Sequence, residues 1–438
     1  MTPLPKPIAI IGAGLAGLTA AAMLRRHGVP FVLYEAGPQI AGLARSFIDE
    51  GGFTCDFGAH FITNRLAAAI GVSGQCSDTA RYSETVWLRG RSIGYPFGLM
   101  CEPAYLISAL ASRVRLIDRS PAVTAEEWFC RKYGAVLAHQ VAIPLIEAWS
   151  GTPAFELAAS AADPLPISIA RTIGLKLAGR LTKRAVAIGY CRSLPETVHI
   201  RHVYPQNGVA TLCERLAKEI DGVVELNAPV EAIIVDGGQT VAVRVGGQDR
   251  EVRAVVSTAP LPALARLVHG TLELAPLGRF KYRPMVFVNL HFIGRGLLPD
   301  VVVWTPERAY PFFRLTETPL AMPWLAPEGK TSVTADLGCE VGDATWNASD
   351  EALAHRCLDW ITDIIPDARQ RYIGCRVLRT ATAYPVFCLE YEEDRRRFAK
   401  STGIGGLVSV GRNGEFAHIL MEDVYWRTLA RVRPLLQS

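Results

Sequence analysis

The stretch "IAIIGAGLAGLTAAAMLRRHGVPFVLYEAG", residues Ile8–Gly37, decides the fold. Ile8–Ile11 is an unbroken apolar run, which predicts a strand buried on both faces of a parallel sheet. Gly12, Gly14 and Gly17 follow in GxGxxG spacing. Gly12 permits a tight turn, Gly14 leaves room for a pyrophosphate, and Gly17 lets a helix lie close to the strand. That helix opens on Leu15 and Ala16, carries Leu18, Ala21, Ala22 and Leu24 at helical spacing, and ends at His27–Gly28. Its N-terminal N–H groups and dipole favour an anion. Val29–Tyr34 reads as a second strand, with Glu35 and Ala36 at its exit, and Glu35 lies 18 positions after Gly17. An acid there bonds a ribose 2′-OH and repels a 2′-phosphate. The unit therefore predicts a dinucleotide site that disfavours NADP.

The bulk composition excludes several classes. Of 438 residues, 50% are hydrophobic and 20% charged, and 46 basic against 42 acidic residues give a net +4. That is ordinary for a globular chain and too mild for a nucleic-acid partner. The ten cysteines include no two closer than thirteen positions, so there is no CxxC and no metal site is expected. Free thiols fit a reducing cytosol. The N-terminus lacks a secretion pattern, and no apolar run of ~18 residues predicts a membrane span. The expected location is cytoplasmic.

A second glycine loop follows, "GPQIAGLARSF", with Gly42, Leu43, Ala44 and Arg45. Then comes "GGFTCDFGAHFI", with Asp56, Gly58, Ala59 and His60. Here the chain resembles the flavoprotein superfamily of amine oxidases, protoporphyrinogen oxidases, phytoene desaturases and UDP-galactopyranose mutases. The usual Gly-Gly of that second loop is Ala41-Gly42 in this chain. The resemblance implies FAD as cofactor, Arg45 beside its diphosphate, and Gly58, Ala59 and His60 beside the flavin ring.

The resemblance extends to two further segments. "VYPQNGVATLCERLAKEI" predicts a turn at Asn207-Gly208 and an amphipathic helix with Leu212, Leu216 and Ile220 inward. A β-meander then ends at Ala254–Val256. By analogy Val230 contacts adenine through its backbone, and the exit at Thr258 passes near FAD. The C-terminal "GIGGLVSVGRNGEFAHILMEDVYWRTL" predicts a strand, a glycine turn at Gly411–Gly414, and a helix from Met421. It resembles the family's closing motif through Gly411, Arg412, Gly414, Phe416 and Met421. His418, Leu420 and Glu422 depart from that motif. The expected fold class is α/β: a Rossmann-like, GR2-type FAD-binding domain built from 1–75, 200–275 and 385–438. An α+β substrate domain from 76–199 and 276–384 is interleaved with it.

On the substrate side, "PLIEAWSGTPAFEL" places Trp149 either in helix packing or on a planar substrate. Ile167–Arg192 holds six basic residues and no acid. It reads as a solvated face, as an entrance for an anion, or as peripheral membrane contact. "VVWTPERAYPFFRLTE" supplies aromatic residues for an apolar wall, together with Arg314. Trp149, Arg192, Tyr204 and Arg314 are the substrate-binding candidates, and His60, Tyr384 and His418 the catalytic ones. The leading expectation is an FAD-dependent oxidoreductase passing a hydride from a small-molecule substrate to flavin, with oxygen or a quinone as acceptor. One alternative is a mutase-like enzyme that uses reduced FAD on a nucleotide sugar. The other is a non-catalytic binding protein resembling the GDP-dissociation inhibitors.

Overall fold

The structure, a computed structural model, describes residues 6–58, 60–79, 81–115, 121–162, 169–182 and 185–437. Three separated parts of the chain build one parallel sheet. Its strands run in the order Val224–Glu225, Phe31–Tyr34, Ile8–Ile11, Ala254–Ser257, Leu407–Ser409. All four residues of Ile8–Ile11 and of Ala254–Ser257 are buried, because layers cover both faces. Ile8 and Ile10 turn toward Leu18 and Leu24 of helix Leu15–Arg26 and toward Leu212 and Leu216 of helix Ala210–Glu219. Ala9, Ile11 and Val255 turn the other way, onto Val243, Leu261 and Leu264.

A seven-stranded, mostly antiparallel sheet forms the second layer system. Its order is Tyr372–Val386, Lys281–Ile293, Lys330–Gly338, Arg314–Thr316, Val302–Trp304, Glu84–Leu88, Arg91–Gly94. Strand alternation gives it two different faces. Val286, Val288, Val333 and Ala335 pack under helix Asp350–Ile361. Met285, Phe287, Phe313 and Leu378 face the opposite way, onto Cys55 and Phe57 beside the second glycine loop.

Two expected boundaries move. Cys76–Asp78 pairs with strand His202–Pro205, which also pairs with Ile62–Thr63. Residues 76–78 therefore pack with the cofactor-side elements, because strand pairing and not composition decides where they go. The boundary expected at 385 falls inside the continuous strand Tyr372–Val386. Among the described residues no helix is long and apolar enough to cross a membrane.

Candidate active site

The opening glycines have three different physical reasons. Gly12 sits at φ +96°, and a Cβ there would lie 2.2 Å from Thr258 Oγ1. The Thr258 hydroxyl in turn donates to the Ile11 carbonyl at 2.8 Å. At Gly17 a Cβ would lie 1.9 Å from the Gly12 carbonyl oxygen, so only glycine lets the helix approach the turn. At Gly14 a Cβ would meet nothing nearer than the Ala41 carbonyl at 4.0 Å. Packing within the chain does not demand glycine at that position. Gly14 is also the N-cap of helix Leu15–Arg26, and no side chain caps that end. An open backbone face at an uncapped helix N-terminus fits a pyrophosphate.

Glu35 closes this end. Its carboxylate accepts the Ala13 N–H at 2.7 Å and the Gly37 N–H at 2.9 Å. Ala36 is exposed. Glu35 and Gly37 carbonyls accept the N–H groups of Ala228 and Asn227, which brings the start of strand Val230–Asp236 alongside. Val230 is half-buried at that start. The second loop docks through Ala41 N–H to the Ala13 carbonyl at 2.8 Å and continues as a short turn, Gly42–Ala44. Ala41 has φ +81°, the left-handed region glycine prefers, so this departure from Gly-Gly keeps the loop's shape at a strain of about 1 kcal/mol. Beyond Leu43 and Ala44, Arg45 finds no carboxylate within ion-pair distance among the described residues, and its buried Nε has no partner. It remains available for a phosphate.

The closing segment reaches the same helix. Gly411 has φ +84°, and a Cβ there would lie 2.8 Å from the Ala16 Cβ. Gly411–Gly414 is one helical turn, not a simple glycine turn. Helix Met421–Val432 then begins with Glu422 and Asp423, both fully buried. Glu422 accepts from the Thr63 hydroxyl and Arg65, and Asp423 accepts the Arg192 N–H at 2.9 Å. These two acids thus fasten the helix to two neighbouring segments.

Between these ends lies an aromatic and cationic group. Trp149, at the end of helix Ile143–Ser150, meets the Tyr384 ring edge-on at 5.1 Å and the His418 ring at 4.4 Å. The Arg412 guanidinium lies over the Tyr384 ring at 4.7 Å, and its Nε has no partner. No carboxylate among the described residues pairs with Arg412. One cross-strand row of the large sheet faces this group: Leu378, Phe287, Asp336, Arg314 and Trp304 are register partners in turn. Arg314 is ion-paired with the fully buried Asp336 and lies 5.4 Å from the Trp304 ring. Gly58 is packed against this row, because a Cβ there would come within 2.9 Å of Phe287.

The electrostatics follow from burial and these cations. Burial, then Arg412 and Arg314, lower the pKa of His60 to about 4, and His60 Nε2 has no partner. Burial, then Arg412, hold His418 well below the ordinary histidine range, and Arg192 adds to this. Both rings are neutral at pH 7. Burial raises Asp56 to about 6, where it accepts from the Tyr204 hydroxyl.

His60, Tyr384, His418, Trp149, Arg314 and Arg412 are therefore brought together, and Arg192 is near enough to act on His418. Tyr204 is not among them. It is fully buried in the core with Leu66 and Leu212, so its expected place on the substrate wall gives way to a structural bond with Asp56. The aromatic wall divides just ahead of strand Arg314–Thr316: Phe313 faces the site, whereas Phe312 packs with Tyr310 on the far side of the sheet. Arg283 is ion-paired with Glu340. Ala59 lies outside the described residues. Asp336 was missed in the sequence. Its signal was a single acid within the otherwise uncharged run Thr331–Gly338.

The family models agree with this geometry. The NAD(P)-binding Rossmann-like domain matches residues 10–68, and the flavin containing amine oxidoreductase model matches residues 176–425. The chain belongs to the flavin containing amine oxidoreductases. It is an oxidoreductase of that flavoprotein family, which sets aside the non-catalytic alternative. Among solved structures, reduced UDP-galactopyranose mutase superposes with a TM-score of 0.79 at 19% identity, over 99% of this chain and 96% of that one. Cyclohexylamine oxidase from Brevibacterium oxydans IH-35A superposes with a TM-score of 0.72 at 14% identity, over 99% of each chain. At such identities the likeness is one of fold. Hydroxysqualene dehydroxylase of Sinorhizobium fredii (strain NBRC 101917 / NGR234) is 45% identical over 60 residues, which span 14% of each protein.

A buried histidine outside that aromatic and cationic group, His202, sets an acid limit on the fold. His202 is 1% exposed, its ring stacks on Tyr82 at 4.5 Å, and burial lowers its pKa from 6.5 to about 3. The unfolded chain takes up this proton near pH 6.5, whereas the folded chain waits until about 3. Stability contributed by the neutral ring is full above 6.5 and falls as pH drops toward 3, by on the order of 4 kcal/mol. Denaturant titrations at several pH values should show proton uptake on unfolding in that window. His202→Phe should flatten the slope, and an unaltered slope would remove His202 as its source.

Proposed function

We propose that the protein is an FAD-dependent oxidoreductase that accepts a hydride from an organic small molecule and passes electrons on to oxygen or a quinone. The observation that carries this reading is the open face at Gly14, flanked by the unpaired cations Arg45 and Arg412 at opposite ends of the cradle. Glu35, the first turn of helix Leu15–Arg26 and Arg45 would hold the ADP half. Thr258, Gly58, Arg412 and the Met421 backbone would hold the ring. When bound, FAD supplies the hydride acceptor. Trp149, Tyr384 and Phe313 shield the reacting position from water and orient a flat or apolar substrate. His60 and His418, neutral at pH 7, can each accept a proton at a ring nitrogen.

FAD should bind the apoprotein at least ~100-fold more tightly than FMN, which lacks the half that Glu35 reads. Glu35→Ala should weaken FAD by about tenfold or more. Equal binding of FMN and FAD would sink the assignment. For the reaction itself, anaerobic mixing with candidate substrates should bleach the flavin in a single turnover.

A second reading is favoured by the cations gathered near Tyr384 and His418 and by the fold match to UDP-galactopyranose mutase. Here Arg314, Arg412 and Arg192 would hold the diphosphate of a nucleotide sugar and no net electron transfer would occur. Conversion of such a sugar only by pre-reduced protein would decide for it.

A further inference from the structure

Two helices on the substrate side carry apolar stripes that no other described residue covers. On helix Pro103–Arg115, Leu106, Ile107 and Leu110 are 52%, 67% and 55% exposed. On helix Ile169–Thr182, Leu177 and Leu181 are 51% and 87% exposed. The spacings of three and four place each set on one helix face. The helices belong to one region of the surface. The Lys176 amine donates to the Tyr95 carbonyl at 3.3 Å and lies over the Phe97 ring at 5.9 Å. Phe97 opens the short helix Phe97–Cys101, which leads directly into Pro103–Arg115.

A lone exposed leucine on a surface needs no explanation, but paired stripes do. The surrounding charge identifies the occupant. Helix Ile169–Thr182 carries Arg171, Lys176 and Arg180 in its sequence and no acid, and Pro103–Arg115 contains two arginines and no acid. Exposed apolar side chains on helices whose own sequences are basic and acid-free match a lipid surface, where hydrocarbon underlies a layer of negative charge. A second copy of the chain fits poorly, because two such basic helices would oppose like charges.

We infer that this surface docks onto an anionic membrane, with Leu106, Ile107, Leu110, Leu177 and Leu181 entering the hydrocarbon boundary. The inference stands whatever the substrate and reaction turn out to be. The full chain with its flavin is sedimented with vesicles of phosphatidylcholine alone and of phosphatidylcholine with about one-third phosphatidylglycerol. Binding at least ~10-fold stronger to the anionic vesicles is expected, weakening as salt rises from about 0.05 to 0.5 M. Leu177→Ser with Leu181→Ser should reduce it at least ~5-fold while flavin absorbance and circular dichroism stay unchanged. Absence of binding to anionic vesicles, equal binding to both compositions, or insensitivity to the double substitution would overturn the inference. So would a concentration-dependent dimer that the same substitutions abolish, which would assign the surface to a second copy.

Discussion

Gly14→Val should give a folded protein without flavin, whereas Gly17→Ala should fail to fold normally. The two positions lie three residues apart in one turn, and the expected outcomes separate ligand space from packing space. Gly14 has φ −78° and ψ −175°, ordinary extended backbone for any residue. Its nearest obstacle to a Cβ is 4.0 Å away, so a side chain can begin there without meeting the chain's own backbone. It does, however, occupy the face where a pyrophosphate meets the helix N-terminus. Flavin affinity should fall at least ~100-fold, with the melting temperature of the apoprotein within about 3 °C of the parent. At Gly17 the methyl group of alanine would lie 1.9 Å from the Gly12 carbonyl oxygen, a contact relieved only by moving the helix off the strand. That overpacking in the central layer should cost ~3 kcal/mol or more and appear as insoluble or early-melting protein. Flavin titration and thermal unfolding of the two apoproteins check both halves. Retention of full flavin affinity by Gly14→Val would mean that the cofactor does not use this face.

What was readable in the sequence follows from the range over which each constraint acts. The glycine spacing and Glu35 are local: turn, helix approach and strand exit all lie within Gly12–Glu35, so spacing alone encodes them. The contact of Gly411 with Ala16 joins residues far apart in the chain. It was reached only through resemblance to a family motif, because nothing in either segment names the other. The aromatic density of Trp304–Arg314 pointed to a wall, but that Phe313 faces the site and Phe312 the core under helix Asp350–Ile361 depends on packing between distant segments. The ion pair of Arg314 with Asp336 requires the register of two strands that sequence does not specify. Tyr204 was misplaced for a related reason. Its "YP" context signals a cofactor-domain strand, and only packing shows that its hydroxyl turns to Asp56 instead of the cleft.

Arg412 should prove to be kept for function at the expense of stability. Its guanidinium lies deep in the molecule over the Tyr384 ring, and no carboxylate among the described residues balances it. Burial, together with the nearby Arg314, lowers its pKa, which means that the surroundings disfavour the charge. A cation in that position destabilises the empty protein, because desolvation is not repaid by an ion pair. Arg412→Met, similar in length and uncharged, should therefore leave the apoprotein as stable as the parent or more stable by about 1 kcal/mol. The flavoprotein should respond in the opposite sense. A fixed positive charge beside the ring favours whichever redox state carries more negative charge, so its loss should shift the two-electron midpoint potential negative by on the order of 50 mV. Turnover on a competent substrate should fall about 100-fold or more. Arg412→Lys should recover part of the potential but little of the turnover, since an ammonium lacks the planar guanidinium that stacks on Tyr384. Melting curves of the apoproteins and potentiometry of the flavoproteins separate the two effects. A large loss of stability with an unmoved potential would make Arg412 a packing residue and would leave the cationic character of the site to Arg314 and Arg192.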